Sequence, residues 1–285
     1  MVGIIRSGME NLAQDSTLAM RQFLKPSTGY TGPGDIASGA AAWWGLRGYN
    51  AAYSTGSNPA CDLVDQAGAN PITINILSNG SLDVASINTW VAANSVTTIK
   101  LTKLYDQTGN ANHVSQATLG NMPVISLSVI GSLPAILYNF VNSQSLQGST
   151  LPVSAYPLWG SYVAERIGNT IANNMVIQHS GGNAELGFRN SANTVYSYAG
   201  LVLTATANDN SFHAVQSLIS GVDSDSLYVD GSNTTGDAFT SAPLGHVIVG
   251  NSAMDGYICE AGLWGSDQTT HNSAMNSNQH TYWGF

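Results

Sequence analysis

Charged residues are scarce in this chain. Asp, Glu, Lys and Arg make up 9% of its 285 residues, against roughly 25% in an ordinary soluble domain. The shortage is greatest for cations: 8 Lys and Arg against 17 Asp and Glu, for a formal net charge of -9. Arg6, Arg21, Lys25, Arg47, Lys100, Lys103, Arg166 and Arg189 are scattered along the chain. Nucleic-acid binding draws on clustered Lys and Arg that displace phosphate counterions, so nucleic acid is excluded as a partner. An anionic membrane surface is excluded on the same ground, and no apolar run approaches the roughly 20 residues of a membrane-spanning helix. Cysteine is also sparse. Cys61 and Cys259 exclude a disulfide framework and leave two alternatives: one long-range bridge, or two buried thiols acting as small apolar groups. The opening residues, Met1-Val2-Gly3-Ile4-Ile5-Arg6, have neither the basic start nor the apolar stretch of a secretory leader. The expectation is a protein that is cytosolic or leaves the cell without a leader, release by lysis being one such route.

The missing charge is replaced by Ser, Thr, Asn, Gln and 30 Gly, while hydrophobic residues reach 43%. That composition fits many short strands joined by polar turns around a sizeable core. Residues 4–24 carry apolar side chains at helical spacing (Ile5, Met9, Leu12, Leu18, Phe23), and Lys25-Pro26 closes the segment. They are expected to form a helical arm, with residues 1–30 as an attachment segment and 31–285 as the main domain. Residues 26–35 read as a linker, and the Ala- and aromatic-rich residues 36–54 as a helix. Residues 72–77 alternate as a strand, 83–94 form a short helix begun by Asp83 or Ser86, and 97–105 alternate again. Beyond residue 120 the strand candidates are 123–130, 134–140, 158–166, 174–179, 184–189, 194–204, 211–219, 225–229, 245–250 and 256–264. A short helix follows over 267–283. The spacing predicts an all-β two-sheet sandwich with a few short helices.

Residues 211–265 carry the first resemblance. A strand with His213-Ala214-Val215 precedes Leu227-Tyr228-Val229-Asp230-Gly231, then Val247-Ile248-Val249-Gly250, then Asp255-Gly256-Tyr257-Ile258-Cys259-Glu260-Ala261-Gly262-Leu263-Trp264. This order resembles the C-terminal half of laminin-G and concanavalin A-like jelly rolls, with 121–285 as the laminin-G-like part and 31–120 as a helix-containing N-terminal part. The Asp230-Gly231 pair supplies the positive-φ turn that a tight hairpin needs. Two further motifs are Gly32-Pro33-Gly34-Asp35-Ile36 with Trp43-Trp44-Gly45-Leu46-Arg47-Gly48-Tyr49, and Leu104-Tyr105-Asp106-Gln107-Thr108-Gly109 with Asn112-His113. Together they resemble the catalytic-domain family of α-L-arabinofuranosidase B, glycoside hydrolase family 54, similar domains of which occur in phage and prophage virion proteins.

A retaining glycosidase needs two carboxyl groups about 5 Å apart. Beyond the arm the chain has Glu165, Glu185 and Glu260. Glu260 reads as structural. If the chain is an enzyme, Glu185 is the best nucleophile by elimination, and Asp255 the best acid/base. The resemblance does not carry a catalytic pair over. The family's nucleophile segment and vicinal cysteines are not found, and its acid/base loop corresponds to Val249-Gly250-Asn251-Ser252, where Asn251 cannot cycle a proton. Asp35, Trp44, Arg47, Tyr105, Asp106, Gln107, Asn112 and His113 are read as a structural motif, with Asp106 accepting backbone N–H groups of its own loop. Trp159, Tyr162, Tyr196 and Tyr198 are the candidates for stacking on sugar rings. The six histidines show no zinc spacing. No cofactor is expected, with calcium on Asp209, Asp223 or Asp225 as the one metal alternative. The resulting expectation is a non-catalytic phage virion surface protein, as head decoration, head fibre or tail fibre. Residues 1–30 would hold it to other virion subunits, in a homo-oligomer or larger assembly, with cell-surface glycans as ligands. An active arabinofuranosidase-type hydrolase and a free bacterial lectin remain as alternatives.

Overall fold

The computed structural model describes residues 29–168, 172–222, 224–239 and 241–285. Thr31–Phe285 form one unit, and the helix expected over residues 4–24 lies outside the described residues. Among the described residues there are three α-helices: α1 (Pro33–Ile36), α2 (Val84–Asn94) and α3 (Asn272–Trp283). Eighteen strands accompany them. The first eight are β1 (Ala42–Gly45), β2 (Asn58–Val64), β3 (Ile72–Ile76), β4 (Lys100–Leu104), β5 (Val114–Ser115), β6 (Val124–Ile130), β7 (Leu133–Tyr138) and β8 (Leu146–Gln147). They are followed by β9 (Leu158–Arg166), β10 (Asn174–His179), β11 (Glu185–Phe188), β12 (Thr194–Tyr198) and β13 (Val202–Thr206). The last five are β14 (Phe212–Ile219), β15 (Asp225–Val229), β16 (Ser232–Gly236), β17 (Val247–Val249) and β18 (Gly256–Trp264).

The pairings are antiparallel and join the strands in one network that folds into two layers. One layer runs β16-β15-β14-β9-β18-β7-β6, with β1 beside the second half of β18. The other runs β13-β12-β11-β10-β17-β8-β5-β4-β2-β3. The pair Lys100–Val124 of β4 and β6 links them. The layers meet tightly at Gly160 of β9, where a Cβ would fall 2.2 Å from Leu186 Cδ1 of β11. A side chain at Gly160 would force the Leu186 side chain to move. The space between them holds the main apolar core, including Trp44, Tyr162, Leu186, Phe188 and Ile258.

Several local expectations hold for the reasons given. Asp83 caps α2 by accepting the Ser86 amide at 3.0 Å, and Asp230 and Gly231 both take positive φ (47° and 92°) in the β15–β16 turn. Others do not. Residues 36–54 are not a helix. Trp43 and Trp44 sit on β1, whose alternation sends Trp44 into the main core and Trp43 into a separate aromatic cluster on the other side. A strand buried on both faces shows no polar alternation, so its apolar run imitates a helix. The single strand expected over 194–204 is the hairpin β12–β13, turning at Gly200 (φ 107°). The polar strand β16 was not expected, nor were the two-residue strands β5 and β8.

The outer face of the first layer is covered. Trp43, Trp159, Trp264, Tyr49, Leu218 and Met275 form the second cluster there. Trp159 donates to Asn272 Oδ1 of α3 at 3.0 Å, and Trp264 to the Ala37 carbonyl at 3.0 Å. Beside the aromatics, Arg47 makes a bidentate, fully buried pair with Glu260. Gln279 of α3 donates to Glu260 Oε1 at 2.9 Å and to Ser161 Oγ at 3.1 Å, and accepts from Gln216 at 2.6 Å. The Arg47 guanidinium also lies over the Tyr282 ring of α3, 4.7 Å from its centre. Glu260 is therefore structural, as expected.

Candidate functional site

The Tyr105-Asp106-Gln107 motif is a staple. Asp106 Oδ1 accepts the amides of Trp43 (3.1 Å) and Thr108 (3.0 Å) and the Thr108 hydroxyl (2.8 Å), while Oδ2 accepts the Asn112 amide (3.0 Å). Gln107 accepts from the Tyr49 amide (2.7 Å) and donates to the Gly45 carbonyl (2.9 Å). Asn112 takes the Trp44 indole N–H on its carbonyl (2.7 Å), donates to Ala41 O (2.8 Å) and accepts from Thr150 Oγ1 (2.7 Å). Asp35 holds the amides of Gly32 and Ala51 at 2.8 and 2.9 Å. His113 Nδ1 accepts the Asp106 amide at 3.0 Å, which puts its ring proton on Nε2. Burial, with Lys103 nearby, lowers the His113 pKa. These side chains spend their polar atoms on backbone and fix β1 and its following turn.

The candidate site lies on the outer face of the other layer. Residues opposite each other in antiparallel strands share a face, and neighbours along a strand do not. Leu186 points inward, so Glu185 points out. Register carries that outward position from strand to strand. On one side Glu185 faces Tyr198 of β12, and Tyr198 faces Val202 of β13. On the other side Glu185 faces Gln178 of β10, Gln178 faces Ile248 of β17, and Ile248 faces Gln147 of β8. Gln147 then faces Ser115 of β5, Ser115 faces Lys103 of β4, Lys103 faces Asp62 of β2, and Asp62 faces Thr73 of β3. One residue from each strand of this layer thus stands in a single transverse row. Glu185 is 8% exposed and forms its floor, and the others are half-buried or exposed.

Glu185 is held by neutral donors. Tyr196 donates its hydroxyl to Oε2 at 2.8 Å, and Gln178 donates to Oε1 at 3.3 Å. Burial raises the Glu185 pKa above the usual carboxylate range, and those two bonds pull the other way. No neighbouring carboxylate takes part in that shift. Further along, beside Gln147 and Ser115, a shallow groove of about 610 Å³ is lined by Gln116, Asn121, Ser143, Ser145 and Ser252 among others, with no charged side chain. At the far end Tyr105 donates to Asp62 Oδ2 at 3.0 Å, with Lys103 over its ring at 4.2 Å and the His113 ring edge-on at 5.0 Å.

The structure corrects several sequence expectations. Trp159 and Tyr162 are buried, the first beneath α3 and the second in the main core, and cannot stack on a ligand. Tyr196 is on the outer face but buried, its hydroxyl engaged by Glu185. Of the four aromatic candidates, Tyr198 alone is half-exposed and in the row. Glu185 and Asp255 are not brought together. The Asp255 amide is fixed on Asn174 Oδ1 at 2.8 Å, at the opposite end of β10 from Gln178, where Asn174 pairs with Phe188, three residues or roughly 10 Å along β11 from Glu185. Asn251 is likewise structural, accepting the Met175 amide at 3.1 Å. Of the residues named for calcium, Asp209 pairs with Arg166 at 2.5 Å, and Asp225 accepts from Ser220 and Ala238. Asp223 lies outside the described residues. Cys61 and Cys259 are buried free thiols. Gln178, Gln147 and Ser115 were not singled out from the sequence. Their outward alternation was the available signal.

No family model matches the sequence, and no curated protein does. Among solved structures, the fold is similar to a GH54 α-L-arabinofuranosidase soaked with a cyclic sulfate inhibitor, at TM-score 0.65 and 17% identity, over 87% of this chain and 64% of that one. It is also similar to an arabinofuranosidase complexed with arabinofuranosyl-α-1,2-xylobiose, at TM-score 0.63 and 17% identity with the same coverage. The chain thus spans just under two thirds of the length of these structures. What the likeness shows is the fold, a jelly-roll sandwich of the GH54 kind.

Proposed function

We propose that this sandwich binds carbohydrate on the open outer face of the β10–β12 layer and does not cleave it. The observation that carries this reading is the transverse row, in which the half-exposed Tyr198 ring stands beside Glu185 and Gln178, with amides and hydroxyls continuing toward Gln147 and Ser115. A ring offers the apolar face of a sugar a stacking partner. Amides and hydroxyls both donate and accept, as sugar hydroxyls do. The likeness to arabinofuranosidase folds supports the same class of ligand. Glu185 speaks against cleavage, for its polar partners are a phenol and an amide, and the Asp255 amide is held at the other end of β10. Cleavage requires a second carboxyl across the bond.

The finer setting we propose is the surface of a phage virion, with the segment before Thr31 attaching the sandwich to other virion subunits. That part rests on the sequence resemblance. Mass spectrometry of purified particles is expected to find the chain in them, and its recovery only in the free fraction would favour a free lectin.

Binding is tested by a glycan array with the intact chain, followed by titration of the best ligand. Tyr198→Ala is expected to weaken binding about ten-fold, or roughly 1.4 kcal/mol. One observation favours a hydrolase, namely the raised pKa of the buried Glu185. Turnover of an aryl arabinofuranoside that Glu185→Gln abolishes would establish the hydrolase instead.

A further inference from the structure

We propose that the ligand is an extended, uncharged glycan lying across the strands, with one part at Tyr198 and Glu185 and another in the groove beside Gln147 and Ser115. This rests on the carbohydrate-binding reading above and adds the ligand's length, direction and charge. The direction comes from register. Glu185 and Gln147 stand in the same row three strands apart, through β10 and β17. Strands lie about 4.8 Å apart, so the two side chains are separated by roughly 14 Å along a line perpendicular to the strands. One sugar ring cannot touch both, whereas a chain of rings can. Ile248, half-buried between them, offers an apolar stretch over which ring faces can pass.

The charge preference comes from the groove. Each polar side chain lining it is an amide or a hydroxyl. Such a lining offers donors and acceptors with no cation to balance an anionic sugar, and the protein carries a formal net charge of -9. A uronate chain would bring a charge into a groove whose lining holds no cation to pair it; Arg189, which acts on Tyr196 at the Glu185 end, is not part of that lining. Lys103 stands further along the row, but its ammonium is engaged over the Tyr105 ring.

The test is calorimetric titration of the intact chain with pentose oligosaccharides of increasing length, from the monosaccharide upward, beside a uronate oligomer as the charged control. Affinity is expected to rise with length until the chain reaches both parts of the row, and the uronate is expected to bind more weakly. Gln147→Ala, an exposed position whose loss the fold should tolerate, is expected to weaken the long chain about three- to ten-fold, as loss of about one hydrogen bond would. It should leave the shortest binding ligand unchanged, whereas Tyr198→Ala should weaken both. Equal affinity at all lengths, or equal loss by Gln147→Ala for short and long ligands, overturns the extended ligand and leaves carbohydrate binding in place. Tighter binding of the uronate overturns the charge preference. A chain that binds no oligosaccharide overturns both readings.

Discussion

On the layer of β14, β9, β18 and β1, the outer side chains include Gln216, Trp159, Glu260 and Trp43, and α3 lies over them. On the layer of β12, β11 and β10, the outer side chains are Tyr198, Glu185 and Gln178, and two of these three remain partly open to solvent. Both faces hold a glutamate within hydrogen-bond reach of a glutamine. Under α3 the glutamate has a guanidinium to neutralise it and is completely enclosed. On the other face the glutamate has only a phenol and an amide, and its pKa is raised. A paired, enclosed carboxylate contributes to cohesion, while an unpaired one at the floor of an accessible row keeps its capacity to bind.

The largest effect expected from that contrast is under the helix. Glu260→Gln leaves the Arg47 guanidinium buried without its counter-charge and should cost about 3–5 kcal/mol of stability, read from chemical denaturation. Glu185→Gln on the other face should cost less than about 1 kcal/mol, since Tyr196 and Gln178 can bond an amide as well. Equal costs would break the comparison.

The second effect concerns acid. His179, at the end of β10, is buried with neither ring nitrogen partnered, and burial lowers its pKa to about 4. Between pH 6.5 and 4 the unfolded chain therefore binds a proton that the folded one refuses, and stability falls as the pH falls. Full protonation of the unfolded chain alone corresponds to roughly 3 kcal/mol. His179→Leu should flatten the decline of Tm over that range.

The third effect has the opposite sign. His213, at the start of β14, directs Nδ1 to Asp230 (2.5 Å) and Nε2 to the Asn208 carbonyl (2.8 Å). Burial pulls the His213 pKa down, but these bonds outweigh it and the net shift is upward. Its contribution is complete below pH 6.5 and is lost as the pH rises through the folded value. His280 of α3 reaches the same Asp230 at 3.2 Å, so the loss should loosen the helix-covered layer. His213→Gln should lower Tm below pH 6 by an amount corresponding to roughly 1 kcal/mol, and by less once the pH has risen above the folded value of His213. The smallest effect is expected for Tyr198→Ala and Gln147→Ala, which should each change stability by less than about 0.5 kcal/mol while weakening ligand binding.

Strands are legible in both layers, β9, β14, β15 and β18 under α3 as well as β3 and β4; what differs is how clearly the sequence marks the face a side chain takes. Strands of the open layer carry the apolar-polar alternation of a half-buried sheet, which makes Ile72-Thr73-Ile74 and Lys100-Leu101 legible; in the covered layer the Asp230-Gly231 turn is legible for its positive φ. Under α3 both sides of a strand are buried, and Trp43-Trp44 imitates a helix because no polar residue marks an outer side. The same double burial concealed Trp159. The row itself was not legible. It depends on β10 meeting β17, β17 meeting β8, and β8 meeting β5, partners distant in sequence whose register no local pattern specifies. Elimination among three glutamates points to Glu185, but no local pattern joins it to the Tyr196 and Gln178 that hold it.

The contact between Asn278 of α3 and the Thr31 carbonyl, 2.9 Å, has a geometric consequence. It fixes the chain's entry into the sandwich beside the helix, on the side turned away from Glu185. Under the virion reading proposed above, copies mounted side by side would present parallel rows, in which weak individual contacts add up.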